Sequence, residues 1–348
     1  MTIAERFAVR KATLEDVARE AGVSLATADR VVNQREGVSS KAKARVEHAI
    51  AKLSYRANAA ATRLARNRHY RFVFLLPSNT NSFMANLAEQ VERASAWLAG
   101  QNGHIDVVHV DVFDPVELAR SLTQVSDIYD GVATVALDHP RVRAAIDDLV
   151  ARGVHVVTLV SDAPTSRRSH FVGIDNPAAG RTAGSLMGRF LNGRNGKVAI
   201  VVGSMTLRDH AERHFGFQQV LSSEFPNLQV LPPREGRDDI DRTRKHAAAL
   251  LAEHRDLVGI YNAGAGNEGI AKVLEKTGGD DIVWIAHELT LATKRCLISG
   301  VADAVINQDC GHEARSAARV LLAYCQNELI IPEQERIRIE IFLRDNLP

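Results

Sequence analysis

Two groups of residues have the types and spacing to do recognition chemistry. In "VAREAGVSLATADRVV", residues 17–32, two short apolar-periodic runs flank Gly22, and the second presents Leu25, Ala26, Asp29 and Arg30 on one side. A guanidinium and small apolar side chains near the start of a short helix can read base edges in a DNA major groove. The carboxylate of Asp29 can accept a hydrogen bond from cytosine N4 there, with a capping or arginine-orienting role as the rival reading. The second group recurs through the rest of the chain, always after a β-branched run. "NTNSFM" follows "FVFLLPS", Asp175 follows "FVGI", "MTLRDHAERHFGF" follows "IVVGS", "AGAGNEG" follows "LVGIYN", "HE" follows "IVWIA" and Gln308 follows "DAVIN". Amides, carboxylates, an Arg and an aromatic can hold a polyhydroxylated molecule through paired hydrogen bonds and ring stacking.

Other chemistry finds little support. "GAGNEG" at 264–269 lacks the spacing and the opening βαβ context of a dinucleotide fingerprint. His210 and His214 stand i, i+4 without the Glu of a zinc-protease register, and Cys296, Cys310 and Cys325 suit neither a zinc site nor a disulfide framework. No nucleophile elbow or phosphate loop occurs in the sequence. A non-enzymatic protein without cofactor or metal, its thiols buried and reduced, is expected.

Thr13 is the expected N-cap of a first helix carrying Leu14, Val17, Ala18 and Ala21, with Glu15 and Asp16 in its first turn. Gly22 can end that helix in the left-handed conformation, and Ser24 can cap the next, in which Ala28, Val31 and Val32 face inward. Ser39 and Ser40 open a third helix with Val46, Ile50 and Leu53 on its apolar face and Lys41, Lys43 and Arg45 within phosphate reach. "RANAAATRLARNR", residues 56–68, has one large apolar residue, Leu64, so a helix there is marginal until a partner supplies burial. Two copies meeting over DNA could wedge paired Leu64 side chains into a minor-groove step. From Arg71, short β-branched runs alternate with amphipathic segments such as 83–99, 115–128 and 140–151, which predicts parallel sheets with helices on both faces. The pattern repeats, so two α/β subdomains should enclose a cleft at their strand ends.

Charge divides at the same place. Residues 1–71 carry 15 Lys plus Arg against 7 Asp plus Glu, and the remainder 28 against 35. A basic head on an acidic body suits a polyanion-binding module joined to a sensor. No stretch reaches the length of a membrane span and no secretory leader is evident, so a cytoplasmic protein with no membrane contact is expected.

Residues 12–64 resemble the headpiece of the lactose/galactose repressor (LacI/GalR) family through "TLEDVAREAGVS", "RVVNQ", "GVSSKAKARV" and the spacing of Asn58, Ala61 and Leu64. The resemblance implies a homodimer reading a near-palindromic double-stranded operator. Its DNA-contacting positions would be Thr13, Ser24, Leu25, Ala26, Thr27, Asp29, Arg30, Asn33, Ala61 and Leu64. Two residues depart from the family pattern: Ala57 replaces the usual Pro before the hinge Asn, and Asp29 the usual Ser. Residues 71–345 are similar to the sugar-binding fold shared by these regulators and periplasmic binding proteins. That similarity implies effector contacts at Asn81, Phe83, Asp175, Arg213, Asn262, Glu288 and Gln308. Here Glu288 stands for the usual Asp, and Gly264 and Ala265 replace the usual Asn-Asp, leaving Asn262 or Asn267 as substitutes.

The expected architecture is α/β: an all-α helix-turn-helix head (1–57), a hinge (58–70), and two doubly wound subdomains of the type I periplasmic-binding-protein kind. These subdomains would comprise 71–174 plus 308–330 and 175–307 plus 331–348. The expected function is a ligand-responsive regulator, a repressor of carbohydrate uptake or catabolism genes. The alternatives are a purine- or other metabolite-responsive regulator using a corepressor, and a solute-binding protein.

Overall fold

A computed structural model describes residues 12–32, 36–53, 55, 68–78, 81–277 and 281–348. The chain divides into two compact units, one ending at Arg68 and the other beginning at His69.

The head unit has three helices: α1 (Leu14–Ala21), α2 (Leu25–Val32) and α3 (Ser40–Lys52). Thr13 caps α1 through a reciprocal box: its hydroxyl accepts from the Asp16 amide at 3.3 Å, and the Asp16 carboxylate accepts from the Thr13 amide at 2.9 Å. Gly22 ends α1 with φ +60°, a conformation that costs a side chain with a Cβ roughly 1–2 kcal/mol. Val17, Ala21, Val46 and Ala49 form the core, with Val23, Val31, Ile50, Leu53 and Tyr55 packed against it. Ala28 is buried as expected, while Val32 is only half-buried. Small residues at the helix crossings let three short helices share so small a core.

The body holds two sheets. The first has strand order β2-β1-β3-β4-β5, all parallel: β1 (Tyr70–Pro77), β2 (Gly103–Val110), β3 (Gly131–Thr134), β4 (His155–Leu159) and β5 (His170–Val172). Its intervening helices are α4 (Ser82–Ala99), α5 (Pro115–Thr123) and α6 (Pro140–Ala151). Along β1, Phe72, Phe74 and Leu76 enter one apolar cluster and Val73 and Leu75 another, so period-two alternation buries both faces. α5 is shorter than the periodicity predicts, stopping at Thr123 with Gln124 as its C-cap. Ser126 then bonds the amide of Ile128 instead of continuing the helix.

The second sheet has order β12-β11-β10-β9-β6-β7, with the two-residue β8 (Arg234–Glu235) alongside β6. Its strands are β6 (Gly196–Val202), β7 (Leu228–Val230), β9 (Leu257–Asn262), β10 (Val283–His287), β11 (Ala304–Gln308) and β12 (Ile339–Phe342). β12 pairs antiparallel with β11, which makes "RIRIEIFLRDNLP" the closing strand foreseen for it. Around this sheet lie α7 (Asn176–Leu191), α8 (Arg208–Glu224), α9 (Ile240–Glu253), α10 (Asn267–Thr277) and α11 (Leu291–Ser299). After β11 the chain crosses over: α12 (Cys310–Gln326) packs on α4 and the first sheet, and α13 (Pro332–Glu335) precedes the return to β12. Cys296 and Cys310 are buried free thiols whose pKa burial pushes up to about 11 and about 12, while Cys325 is half-buried.

One packing feature positions the site directly. α7 and α8 approach so closely that a Cβ at Gly180 would lie 2.1 Å from the carbonyl oxygen of Arg213, and one at Gly216 would lie 2.2 Å from that of Pro177. Glycine at both places lets the helix carrying Arg213 meet the N-terminus of α7.

Candidate functional site

In the head, the start of α2 is a surface made for display. Leu25 is 46% exposed, Ala26 and Arg30 are exposed, and Thr27 and Asp29 are half-buried. Ser24 caps the helix by accepting from the Thr27 amide at 3.2 Å, and its hydroxyl lies 2.8 Å from that of Thr27. Asp29 sits close enough to Tyr55 that, after burial, its charge is the next cause raising the phenol pKa. The carboxylate thus faces the α2–Tyr55 junction as well as the display surface. Thr13 is exposed beside its Asp16 partner, and Lys41, Lys43 and Arg45 are exposed on α3. Asn33, Ala61 and Leu64 lie outside the described residues.

In the body, the ends of β6, β9, β10 and β11 bring together a buried polar cluster around Arg213. Its Nε donates to Asn176 Oδ1 at 2.8 Å and Nη1 to the Ala263 carbonyl at 2.9 Å. Nη2 has no hydrogen-bond partner among the described residues. Gln308 donates from Nε2 to Glu288 Oε1 at 2.8 Å and from its backbone amide to Oε2 at 3.3 Å. Burial is the main cause that raises Glu288 to about 7, against the lowering by Arg213 and the Gln308 hydrogen bonds. Beside it, His287 lies 2.7 Å from the Tyr261 hydroxyl through Nε2, and burial holds its pKa well below the ordinary value, so the ring is neutral. Glu313, the fourth residue of α12, is fully buried with neither carboxyl oxygen bonded, and burial followed by Glu288 raises its pKa well above the usual carboxylate range. Asp209 leaves Oδ1 unpartnered, and Oδ2 lies 3.7 Å from His210 Nε2.

Backbone strain marks one strand end in each sheet. Val160 (φ +64°), after β4, and Glu288 (φ +68°), after β10, occupy the left-handed region, at a cost on the order of 1–3 kcal/mol each. A β-branched or long side chain persists there only where its surroundings fix it.

The two subdomains close over this floor. Asn81 caps α4 by accepting from Met84 at 2.9 Å and also donates across the cleft to Asp238 at 3.1 Å. Arg208 reaches Asp138 at 3.3 Å, and the Arg237 guanidinium sits 5.4 Å from the centre of the Phe113 ring. Between them is a cavity of about 30 Å³ with Asn81, Phe113, Ser161, Asp209, His210 and Asp238 on its walls. At the mouth lies a groove of about 1040 Å³ whose walls include Asp111, Arg237, Asp239 and Glu268.

The structure places Asn81 on the cavity wall and gathers Arg213, Glu288 and Gln308 in the buried cluster at the strand ends. Asn262 is buried nearby, donating to Asn267 at 2.7 Å, and Asn267 donates to the His287 carbonyl at 3.0 Å. Two expected residues stand elsewhere. Phe83 is buried in the apolar cluster with Leu87, and the aromatic on the cavity wall is Phe113. Asp175 is an exposed cap of α7, accepting from Ala178 at 2.8 Å, and its neighbour Asn176 is the one turned inward to Arg213. Sequence reading also passed over Asp209, Asp238 and Glu313. Asp209 lies in the polar segment that follows "IVVGS", whereas a single Glu in an amphipathic helix carries no signal.

Residues 72–329 match the family described as "Periplasmic binding protein domain", and residues 13–58 match "Bacterial regulatory proteins, lacI family". The chain belongs to the periplasmic-binding-protein domain family and carries a lacI-family head. The ribose operon repressor of Escherichia coli K12 is 41% identical over 83 residues, 24% of this chain and 25% of that protein. Catabolite control protein A of Staphylococcus xylosus is 41% identical over 80 residues, 23% of this chain and 24% of that protein. The matched stretch thus spans about a quarter of these curated relatives. The body shares its fold with a glucose-galactose binding protein from Geobacillus stearothermophilus: TM-score 0.72, 23% identity, 81% of this chain and 99% of that one. A putative LacI transcriptional regulator from Bacteroides fragilis gives TM-score 0.70 at 17% identity, over 80% of this chain and 98% of that one. The chain's architecture, a helical head and a body of two parallel-sheet α/β subdomains, is the one expected from the sequence. Among the described residues no helix is long and apolar enough to cross a membrane.

Proposed function

We propose that this protein is a ligand-responsive DNA-binding regulator of sugar-related genes, acting as a homodimer on a near-palindromic operator. The observation that carries this reading is the joining, in one chain, of two features. One is a basic helix-turn-helix displaying Leu25, Ala26 and Arg30; the other is a two-lobed body with a buried polar cluster at its strand ends. A sugar or sugar derivative binding between the lobes shifts the balance of open and closed bodies by its difference in affinity for the two. Residues 58–70, with Leu64 as the minor-groove wedge, would transmit that shift by ordering or melting. A ligand that separates the two hinges lowers operator affinity, and the expected sign is induction.

The test is fluorescence anisotropy of the full chain on a two-fold promoter fragment and on a scrambled one, across a salt series, with monosaccharides added. Affinity should favour the promoter, fall steeply with salt, and fall again with an inducing sugar. Equal binding to both fragments under every metabolite overturns the reading. Within the head, Asp29→Ser should change base preference at one position per half-site by about 1–3 kcal/mol. A uniform rise in affinity with preference untouched would assign Asp29 to the Tyr55 junction instead.

A further inference from the structure

We infer that Asn81 and Phe113 of the first lobe and Arg237 and Asp238 of the second form a gate that holds the body shut before any ligand arrives. The gate belongs to the body alone and depends on nothing that the head binds.

It stands where two spaces meet. Asn81, Phe113 and Asp238 line both the inner cavity and the outer groove, so these three side chains are part of the partition between them. Arg237 lines the groove, with its guanidinium 5.4 Å from the centre of the Phe113 ring. The two halves come from different lobes: Asn81 caps α4 and Phe113 follows β2, whereas Arg237 and Asp238 join β8 to α9. Opening the gate therefore means parting the lobes.

Backbone geometry in the second-lobe half serves the side chains it presents. Residues 236–239 make a four-residue turn, closed by the Asp239 amide donating to the Gly236 carbonyl at 3.0 Å. Both central residues have positive φ, +49° at Arg237 and +55° at Asp238. A turn of that kind favours Asn, Asp and Gly at its centre, so an Arg there is strained for a reason outside the turn. The turn is also pinned to the end of β6, where the Gly236 amide donates to the Val202 carbonyl and the Arg237 amide to the Gly203 carbonyl, both at 2.8 Å. The strained pair is thus fixed in its own lobe and aimed at the other.

The polar contact is prepared from both sides. Asp238 accepts from the Ala265 amide of its own lobe through Oδ1 at 2.9 Å, and from Asn81 Nδ2 through Oδ2 at 3.1 Å. Asn81 mirrors this: its Oδ1 accepts from the Met84 amide at 2.9 Å while its Nδ2 crosses the cleft. Each side chain is oriented at home before the two meet, and a bond from an amide to a carboxylate is stronger than one between neutral groups. The pair of Arg208 with Asp138 differs in kind, because within their own lobes Asp138 also holds Arg143 at 2.6 Å and Arg208 also holds Glu212 at 2.7 Å. Parting the lobes leaves both of those charges paired, but breaks the gate.

Exchanging the two polar groups tests this on the ligand-free full chain, by single-molecule FRET between a dye on each lobe. The native chain should show one compact population. Asn81→Asp keeps the cap on α4, since Asp caps as well as Asn, but sets two carboxylates face to face, and the ratio of closed to open molecules should fall by about tenfold or more. Asp238→Asn keeps a residue tolerant of positive φ but sets two amide donors face to face, and should lower the ratio by about fivefold. Combining the two variants restores the bond with donor and acceptor exchanged, and should return the ratio to within about twofold of native. Arg237→Gly keeps the turn while removing the contact with Phe113, and should lower it by about threefold. A native chain whose lobes stand apart without ligand overturns the inference, and that measurement needs no variant to fold. An unchanged ratio in Asn81→Asp also overturns it, as do two opened single variants that the combination fails to close. Promoter binding by anisotropy on the same samples separates the readings: if the gate fails while the promoter is still preferred, the regulator reading stands without it.

Discussion

The head and the cleft handle polar groups in opposite ways. At the head's helix ends each cap finds its partner within three residues: Thr13 with Asp16, Ser24 with Thr27, and Ser39 with Ala42. Its side chains with recognition chemistry stand on the surface, above a core of four small residues. The strand ends of the body instead bury a guanidinium, three carboxyl groups and a neutral imidazole, several with atoms left unpaired among the described residues, and hold two residues at positive φ. A display surface can be locally satisfied because its partner adds to it from outside. A chamber that must change state on binding keeps part of its hydrogen-bonding capacity unspent, and loses stability by doing so.

The largest break in that contrast should come from Arg213→Met. It strands Asn176, the Ala263 carbonyl and the neighbouring acids together, and should destabilise the body by about 3–5 kcal/mol in urea unfolding. Arg30→Met, the same exchange in the head, should leave stability within about 0.5 kcal/mol while weakening promoter binding in anisotropy. Comparable losses of stability at the two sites would erase the distinction.

The pH dependence of the body sharpens it. Glu288 is raised to about 7 in the folded chain, above the ordinary value of 4.5, mainly by burial. Between those values the folded state holds a proton that the unfolded state has released. The associated stability is therefore fully present below pH 4.5, declines as pH rises through 7, and levels off above it. The span corresponds to about 3 kcal/mol. Thermal unfolding from pH 5 to 8 should show that decline, and Glu288→Gln should flatten it. Glu313 is shifted in the same direction, so Glu288→Gln alone should leave a residue of slope that Glu288→Gln with Glu313→Gln removes.

A smaller effect of opposite sign is expected at Glu313 itself. Replacing a buried, unpaired carboxyl with an apolar side chain of similar size removes an uncompensated burial cost, so Glu313→Leu should raise the melting temperature by the equivalent of about 1–3 kcal/mol. A lower melting temperature would mean that the carboxyl is satisfied in solution.

How much of this was legible in the sequence follows from the same contrast. The head could be read almost residue by residue, because caps, helix terminators and apolar spacing act over three or four positions: Thr13, Gly22, Ser24 and Ser39 all serve as their local chemistry dictates. In the body, period-two runs gave the strands, and the residues that the resemblance implies include Asn81, on the cavity wall, and Arg213, Glu288 and Gln308, in the buried cluster. Asp175 and Asn176 could not be told apart, because which of two adjacent polar residues caps the helix and which turns inward is decided by how α8 approaches α7, through Gly180 and Gly216. Phe83 and Phe113 were exchanged for a similar reason: the helix face that Phe83 occupies is set by packing against the first sheet. Glu313 was invisible, since its burial arises only when the crossover lays α12 against α4 and the first sheet.

The smallest effect should come from a cap in the head. Thr13→Ala removes one side of the capping box with Asp16, so α1 should lose about 1 kcal/mol. Amide exchange at Val17, Ala18 and Ala21 should quicken by roughly fivefold, and promoter affinity should drop slightly, because α1 packs on both α2 and α3 and holds the display surface in place. Body unfolding and sugar affinity should not move. If exchange at those amides stays unchanged while promoter affinity falls by an order of magnitude, Thr13 serves the duplex directly rather than the helix it caps. The head would then also keep bonding capacity in reserve, as the cleft does.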